Sequence, residues 1–254
     1  LRWNQIQLMQ VKKGGTDPYL LIPDSPVETL DWHGFKYTTT AHTDGGCAEM
    51  HSYWLDAIQR MSPNGKVWES GLDWCAGDGG CGLMLYGEGK AKKMSFMEPY
   101  PKALKNLYQN LEDNNLDCDV YEIKTIEELP GKYDLVFGNS PSARLPHLCR
   151  MYDLGWLRKK EYFPLTYEEA LSDLKTKNPH RAFDYYWNIH KEFFANIEEK
   201  LLPGADIFLF ENPIDFNPLF WEWGHTNLKI KGWVDHIQIP EFPKPQVVLH
   251  MKYE

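Results

Sequence analysis

Residues 71–82 read Gly71-Leu72-Asp73-Trp74-Cys75-Ala76-Gly77-Asp78-Gly79-Gly80-Cys81-Gly82. A strand here runs into a turn that satisfies G-x-G-x-x-G at Gly77, Gly79 and Gly82, and a helix follows it. Glycine at such a turn lets a nucleotide lie close across the strand end, where a Cβ would collide with it. The next strand, Met94–Met97, ends at Glu98. That is about 20 residues on, the spacing at which an acidic side chain accepts both hydroxyls of a ribose.

Working outward, strand and helix alternate. Residues 67–74 read as a strand, 101–114 as a helix with Leu104, Leu107, Tyr108 and Leu111 on one stripe, and 119–123 as a strand. Tyr133–Gly138 is an apolar run of the kind buried in parallel sheets. Residues 182–202 read as a helix stopped by Pro203-Gly204, and 206–210 as another buried strand. Two strands, 229–239 and Gln246–Tyr253, close the pattern without a helix between them, which predicts an antiparallel pair at the sheet edge. Upstream, Ala48–Met61 has helical spacing, residues 1–45 show no regular pattern, and the polar run 38–46 reads as a loop. The fold class is therefore α/β with a mostly parallel sheet. It divides into an N-terminal extension with the first helix, 1–65, placed to act as a lid, and a main domain, 66–254, with an insertion at 143–181.

Composition narrows the function. The 254 residues carry 27 Lys+Arg against 36 Asp+Glu, a formal charge of −9. That balance argues against a protein that coats nucleic acid by bulk charge. A hydrophobic share of 43% is too high for a disordered chain. The N-terminal stretch lacks the apolar segment of a secretory leader, and no run approaches the length of a membrane span. Five cysteines without paired C-x-x-C spacing predict reduced thiols, no metal site and a cytoplasmic location.

A glycine turn with a distal acid serves nicotinamide-dependent oxidoreductases and S-adenosylmethionine-dependent methyltransferases alike. Asp73 and Asp78 favour the second, because carboxylates there repel a pyrophosphate but tolerate a sulfonium or an amino group. The terminal antiparallel strands point the same way. Residues 72–82 resemble the first motif of class I methyltransferases, and Glu98-Pro99-Tyr100-Pro101-Lys102-Ala103-Leu104, followed by Asn110, resembles their acidic motif. Asp134-Leu135-Val136-Phe137-Gly138-Asn139-Ser140-Pro141-Ser142 resembles the fourth-strand motif of the amino-methylating branch, which includes the release-factor glutamine N5-methyltransferases.

The resemblance implies a Rossmann-like class I methyltransferase fold and S-adenosyl-L-methionine as cofactor, leaving S-adenosyl-L-homocysteine as product. It implies that Asp73, Gly77 and Gly79 line the cofactor's methionine part, that Cys75, Ala76 and Asp78 also bind the cofactor, that Glu98 holds the ribose, and that Pro99 packs on the adenine. Thr125, after the third strand, stands where the adenine edge is read, and Asn139 faces both the methyl group and the acceptor nitrogen. Asn139, Ser140 and Pro141 form the catalytic set. The Asn139 side-chain oxygen and the Ser140 carbonyl accept the acceptor's N–H groups, and Pro141 stiffens the turn. Ser140 and Ser142 depart from the branch pattern Asn/Asp-Pro-Pro-Tyr/Phe, and the second departure removes an aromatic stacking platform. A protein side-chain amide is the expected acceptor, with an adenine amine in RNA or DNA, or a small-molecule amine, as alternatives. A cofactor-binding protein without turnover is the non-enzymatic reading.

Overall fold

The computed structural model describes residues 27–32, 34–40, 48–62, 65–139, 190, 192–211, 226–237 and 246–254. An N-terminal hairpin, β1 (Glu28–Trp32) and β2 (Phe35–Thr39), leads to helix α1 (Ala48–Met61). The main body follows as β3 (Gly71–Trp74), α2 (Gly80–Gly87), β4 (Met94–Met97), α3 (Pro101–Asp113), β5 (Asp119–Tyr121) and β6 (Tyr133–Gly138). It closes with β7 (Leu201–Glu211), β8 (Leu228–Ile237) and β9 (Gln246–Tyr253).

Seven strands form one sheet in the order β5-β4-β3-β6-β7-β9-β8. All pairings from β5 to β7 are parallel, whereas β9 runs antiparallel to both β7 and β8. The expected antiparallel edge pair is present, with β9 entering between β7 and β8, so β8 is the edge. Chain order reverses at β3, whose neighbours are β4 on one side and β6 on the other. Ligands of open α/β sheets bind beyond the strand carboxyl ends at such a reversal.

Each face of the sheet is sealed by its own core. On one, α1, α2 and α3 bury Trp54, Ile58, Leu83, Leu107 and Leu111 against Phe96, Phe137, Phe208 and Phe210. On the other, Phe193, Phe194 and Ile197 cover Leu72, Val136, Ile207 and Leu249. Alternation along β7 explains the split: Asp206, Phe208 and Phe210 belong to the first face, Ile207 and Leu209 to the second.

Several sequence expectations are revised. The hairpin β1–β2 lies within a segment read as irregular, and Thr38 and Thr39 end a strand rather than open a loop. Residues 192–196 are helical and a 3-10 turn, Ile197–Lys200, follows, but Leu201 already begins β7. Pro203-Gly204 therefore lies inside a strand. Between the pairs Tyr133↔Leu201 and Leu135↔Asp206, β7 advances five residues while β6 advances two, and Gly204 absorbs the excess at φ 78°. On α3, Tyr108 is 45% exposed, and Asn106 and Asn110 are buried beside the leucines instead. Strands β3 and β5 are shorter than read.

Gly138 closes β6 against Trp74. A Cβ there would meet the Trp74 carbonyl oxygen and ring, and the carbonyl is fixed by the β3–β6 pairing. Gly138→Ala is therefore expected to destabilise the fold by about 1–3 kcal/mol, read as a lowered urea midpoint at unchanged slope.

Candidate functional site

The turn after β3 is built from left-handed backbone. Cys75 (φ 59°), Gly77 (φ 58°) and Gly79 (φ 83°) all lie in that region, so three of five consecutive residues reverse the chain. The reversal brings the turn over the end of β4, where the Ala76 N–H donates to the Met97 carbonyl (3.1 Å).

Three of its glycines answer to the protein's own packing. A Cβ on Gly79 would strike Leu107 of α3, one on Gly80 would strike His51 and Tyr37, and one on Gly82 would strike Phe96 and the Asp73 carboxylate.

The amides of this turn are committed to protein acceptors. Gly77 N–H donates to Glu98 Oε2 (2.8 Å) and Gly82 N–H to Asp73 Oδ2 (2.9 Å). Gly79 N–H donates to the Ala76 carbonyl (2.8 Å). In dinucleotide folds such N–H groups cradle the pyrophosphate. Here two of the three reach carboxylates, those of Glu98 and Asp73.

Asp73 is 3% exposed, and burial lifts its carboxyl well above the usual range, with Glu98's charge adding to the rise and the Gly82 N–H opposing it. Glu98 ends β4, 7% exposed, with Oε1 accepting from Tyr100 N–H (2.8 Å). Burial pushes its carboxyl up to about 7, the Gly77 and Tyr100 amides pull against that, and the Asp78 charge adds to it.

Asp78 is turned away from the strand ends. Its Oδ2 accepts from Thr39 Oγ1 (2.6 Å) and Thr40 N–H (3.3 Å), and its Oδ1 accepts from Asn106 Nδ2 (3.2 Å). Its carbonyl accepts from Asn110 Nδ2 (2.8 Å). The carboxylate is fully buried by these partners.

The structure thus brings Asp73, Cys75, Ala76, Gly77, Gly79 and Glu98 together at the carboxyl ends of β3 and β4, whereas the Asp78 carboxylate is taken up by Thr39, Thr40 and Asn106. Pro99 is exposed immediately after Glu98. Asn139, half-buried, follows β6 next to the end of β3, where Trp74 pairs with Gly138. Thr125 stands farther out, beyond β5, with its hydroxyl donating to Glu128 Oε1 (2.6 Å). Ser140, Pro141 and the insertion 143–181 lie outside the described residues.

Sequence reasoning missed the ring around Asp78. Thr39 was assigned to a loop, and Asn106 carried no motif. The available signal was on α3, where Asn106 and Asn110 repeat at i,i+4 on the face that buries Leu107 and Leu111. Buried amides at that spacing imply polar partners.

No family model matches the sequence, and no curated protein matches it. Solved structures do. The ribosomal protein L11 methylase of Lactobacillus delbrueckii subsp. bulgaricus is 10% identical, superposes with a TM-score of 0.51, and shares 82% of this chain and 77% of its own. The tRNA m1G37 methyltransferase of M. jannaschii is 13% identical over 91% of this chain and 58% of its own, at a TM-score of 0.53. The Pyrococcus abyssi tRNA (uracil-54, C5)-methyltransferase, solved with S-adenosyl-L-homocysteine, is 14% identical over 89% of this chain and 44% of its own, at a TM-score of 0.53. The chain therefore has the Rossmann-like fold of these methyltransferases.

Proposed function

We propose that the chain is an S-adenosylmethionine-dependent methyltransferase acting on nitrogen, and that its acceptor is a side-chain amide in a protein. The observation that carries the cofactor assignment is the use of the turn's amides: Gly77, Gly79 and Gly82 donate to protein acceptors, two of them carboxylates. A pyrophosphate finds those three donors already taken and meets repulsion from the carboxylates. A ligand with an ammonium, a sulfonium and a ribose diol meets acceptors.

The residues fit that ligand. Glu98, bonded once at each oxygen, retains lone pairs for two ribose hydroxyls. Asp73 and the turn at 75–79 would flank the charged end, and Pro99 the base. When bound, S-adenosylmethionine supplies an electrophilic methyl on a positive sulfur. Asn139 would accept an N–H of the incoming nitrogen and hold its lone pair toward that methyl, and Ser140 would offer a main-chain carbonyl to the other N–H. An amide nitrogen is a poor nucleophile because its lone pair is delocalised, so orientation and acceptor dipoles are what the protein contributes.

Calorimetric titration with S-adenosylhomocysteine and, in parallel, NAD⁺ tests the cofactor. Micromolar binding of the first alone is expected, and binding of NAD⁺ alone would sink the reading. The titration carries its own pH signature. If the ribose requires ionised Glu98, with a carboxyl near 7, affinity falls about tenfold from pH 8 to pH 6. Glu98→Gln should flatten that dependence. Transfer of labelled methyl into protein, against RNA and small amines, tests the acceptor, and label appearing only in RNA would replace the amide with a base.

A further inference from the structure

We propose that Thr39 and Asn110 are positioning residues for the cofactor site: acting through Asp78, they hold residues 77–79 in the form that receives the ligand, so that affinity depends on the hydrogen bonds that the hairpin and α3 make to Asp78. This rests on the methyltransferase reading above.

A turn with Gly77 and Gly79 on either side of one residue is intrinsically permissive, because glycine visits both signs of φ at little cost. Something must select the single arrangement in which Gly77 N–H meets Glu98. The residue between the glycines is the point of control. Among the described residues, Asp78 receives hydrogen bonds from Thr39 Oγ1 (2.6 Å) and Thr40 N–H (3.3 Å) of the hairpin and from Asn106 Nδ2 (3.2 Å) and Asn110 Nδ2 (2.8 Å) of α3. The first three meet its carboxylate, which is fully buried.

The hairpin and α3 grip the turn as one unit. Asn110 accepts from Thr38 N–H (2.6 Å) and donates to the Thr38 carbonyl (2.9 Å), so its side-chain amide pairs with β2 as a neighbouring strand would. One helical turn on, Asn114 repeats the pairing with Lys36, accepting from its N–H (2.9 Å) and donating to its carbonyl (2.9 Å). Two residues along a strand rise about 6.8 Å and four along a helix about 6.0 Å, so the two ladders stay in step. Both asparagines dock the hairpin, but only Asn110 touches the glycine turn. The molecule thus contains its own control.

The consequence is a linkage. Apparent affinity scales with the fraction of molecules whose turn is competent, and ligand binding must in return tighten the hairpin by the same factor. A hairpin that merely completed the core would share in neither effect.

The test is titration of the full chain with S-adenosylhomocysteine for wild type, Thr39→Val, Thr39→Ser and Asn114→Ala, with melting temperatures and amide exchange of residues 28–39. Thr39→Val keeps shape and loses the hydroxyl, and its affinity should fall about tenfold, as for a turn competent in one molecule in ten. Thr39→Ser should restore binding to within about twofold of wild type. Asn114→Ala should lower the melting temperature yet also bind within about twofold of wild type. Saturating ligand should slow exchange in the wild-type hairpin. Wild-type affinity in Thr39→Val, or equal losses in Thr39→Val and Asn114→Ala, overturns the proposal while leaving the cofactor reading intact. If wild type binds no S-adenosylhomocysteine, both fall together. If Thr39→Val does not fold, wild-type exchange decides, and hairpin protection that ignores the ligand overturns the inference.

Discussion

Replacing Asn139 with alanine is expected to cut methyl transfer at least about a hundredfold while changing affinity for S-adenosylhomocysteine only a few-fold. The division follows from where the groups stand. The carboxylates and the turn proposed to hold the cofactor lie at the carboxyl ends of β3 and β4, whereas Asn139 follows β6. Removing an acceptor that acts only on the incoming nitrogen costs what a lost oxyanion-hole donor costs, about 2.7–4 kcal/mol of transition-state stabilisation. Turnover measured with labelled cofactor, beside calorimetry, separates the outcomes. Full activity in Asn139→Ala would remove Asn139 from the chemistry. Wild type that binds the cofactor and methylates nothing offered would favour a binding protein without turnover.

The second large effect concerns stability, far from the strand carboxyl ends. Asp206 on β7 is 2% exposed, and its Oδ1 is bonded to His250 Nε2 (2.8 Å). Its Oδ2 accepts from Trp68 Nε1 (3.0 Å) and from Lys66 Nζ. Burial alone would raise its carboxyl, but the bonds from His250, Lys66 and Trp68 outweigh that and bring it from 3.8 down to about 2. Asp206→Ala strands three donors, one of them a cation, and should cost about 3–5 kcal/mol. The sign with pH follows from the lowered carboxyl. Ionised Asp206 contributes fully above its unfolded value of 3.8, and the contribution is lost as pH falls toward about 2. Denaturant titrations at pH 7 and in the acid limb check both points. A loss under about 1 kcal/mol in Asp206→Ala would mean that the network contributes little net stability.

What could be read beforehand divides along physical lines. The strands Met94–Met97, Tyr133–Gly138 and Gln246–Tyr253 and the helix Ala48–Met61 were legible to the residue, because burial on two faces or along one stripe writes a dense apolar pattern. The hairpin was not. β1 is exposed along most of its length, so alternation on it is weak, and its best clue was the two-residue link ending in Gly34, at φ 79°. Pro203-Gly204 misled because the pair stops a helix and accommodates a bulge by the same means, a missing N–H and a positive φ. The glycine turn was legible as a turn, but its cause was not. A glycine that makes room for Leu107 or Phe96 looks, in sequence, like one that makes room for a nucleotide. The places of Asp73 and Glu98 at neighbouring strand ends could be read from the motif and its spacing, whereas Asp78's partners came from elements 28 to 39 residues away.

The insertion of β9 between β7 and β8 bears on how the chain is made. Residues 206–209, Asp206-Ile207-Phe208-Leu209, gain their second neighbour only when β9 is available. Until the ribosome has delivered it, an apolar strand of high β propensity presents an open edge, and β8 has no partner in the sheet. The nascent chain is thus most open to aggregation in the interval between synthesis of β7 and synthesis of β9, when a holdase chaperone has most to cover.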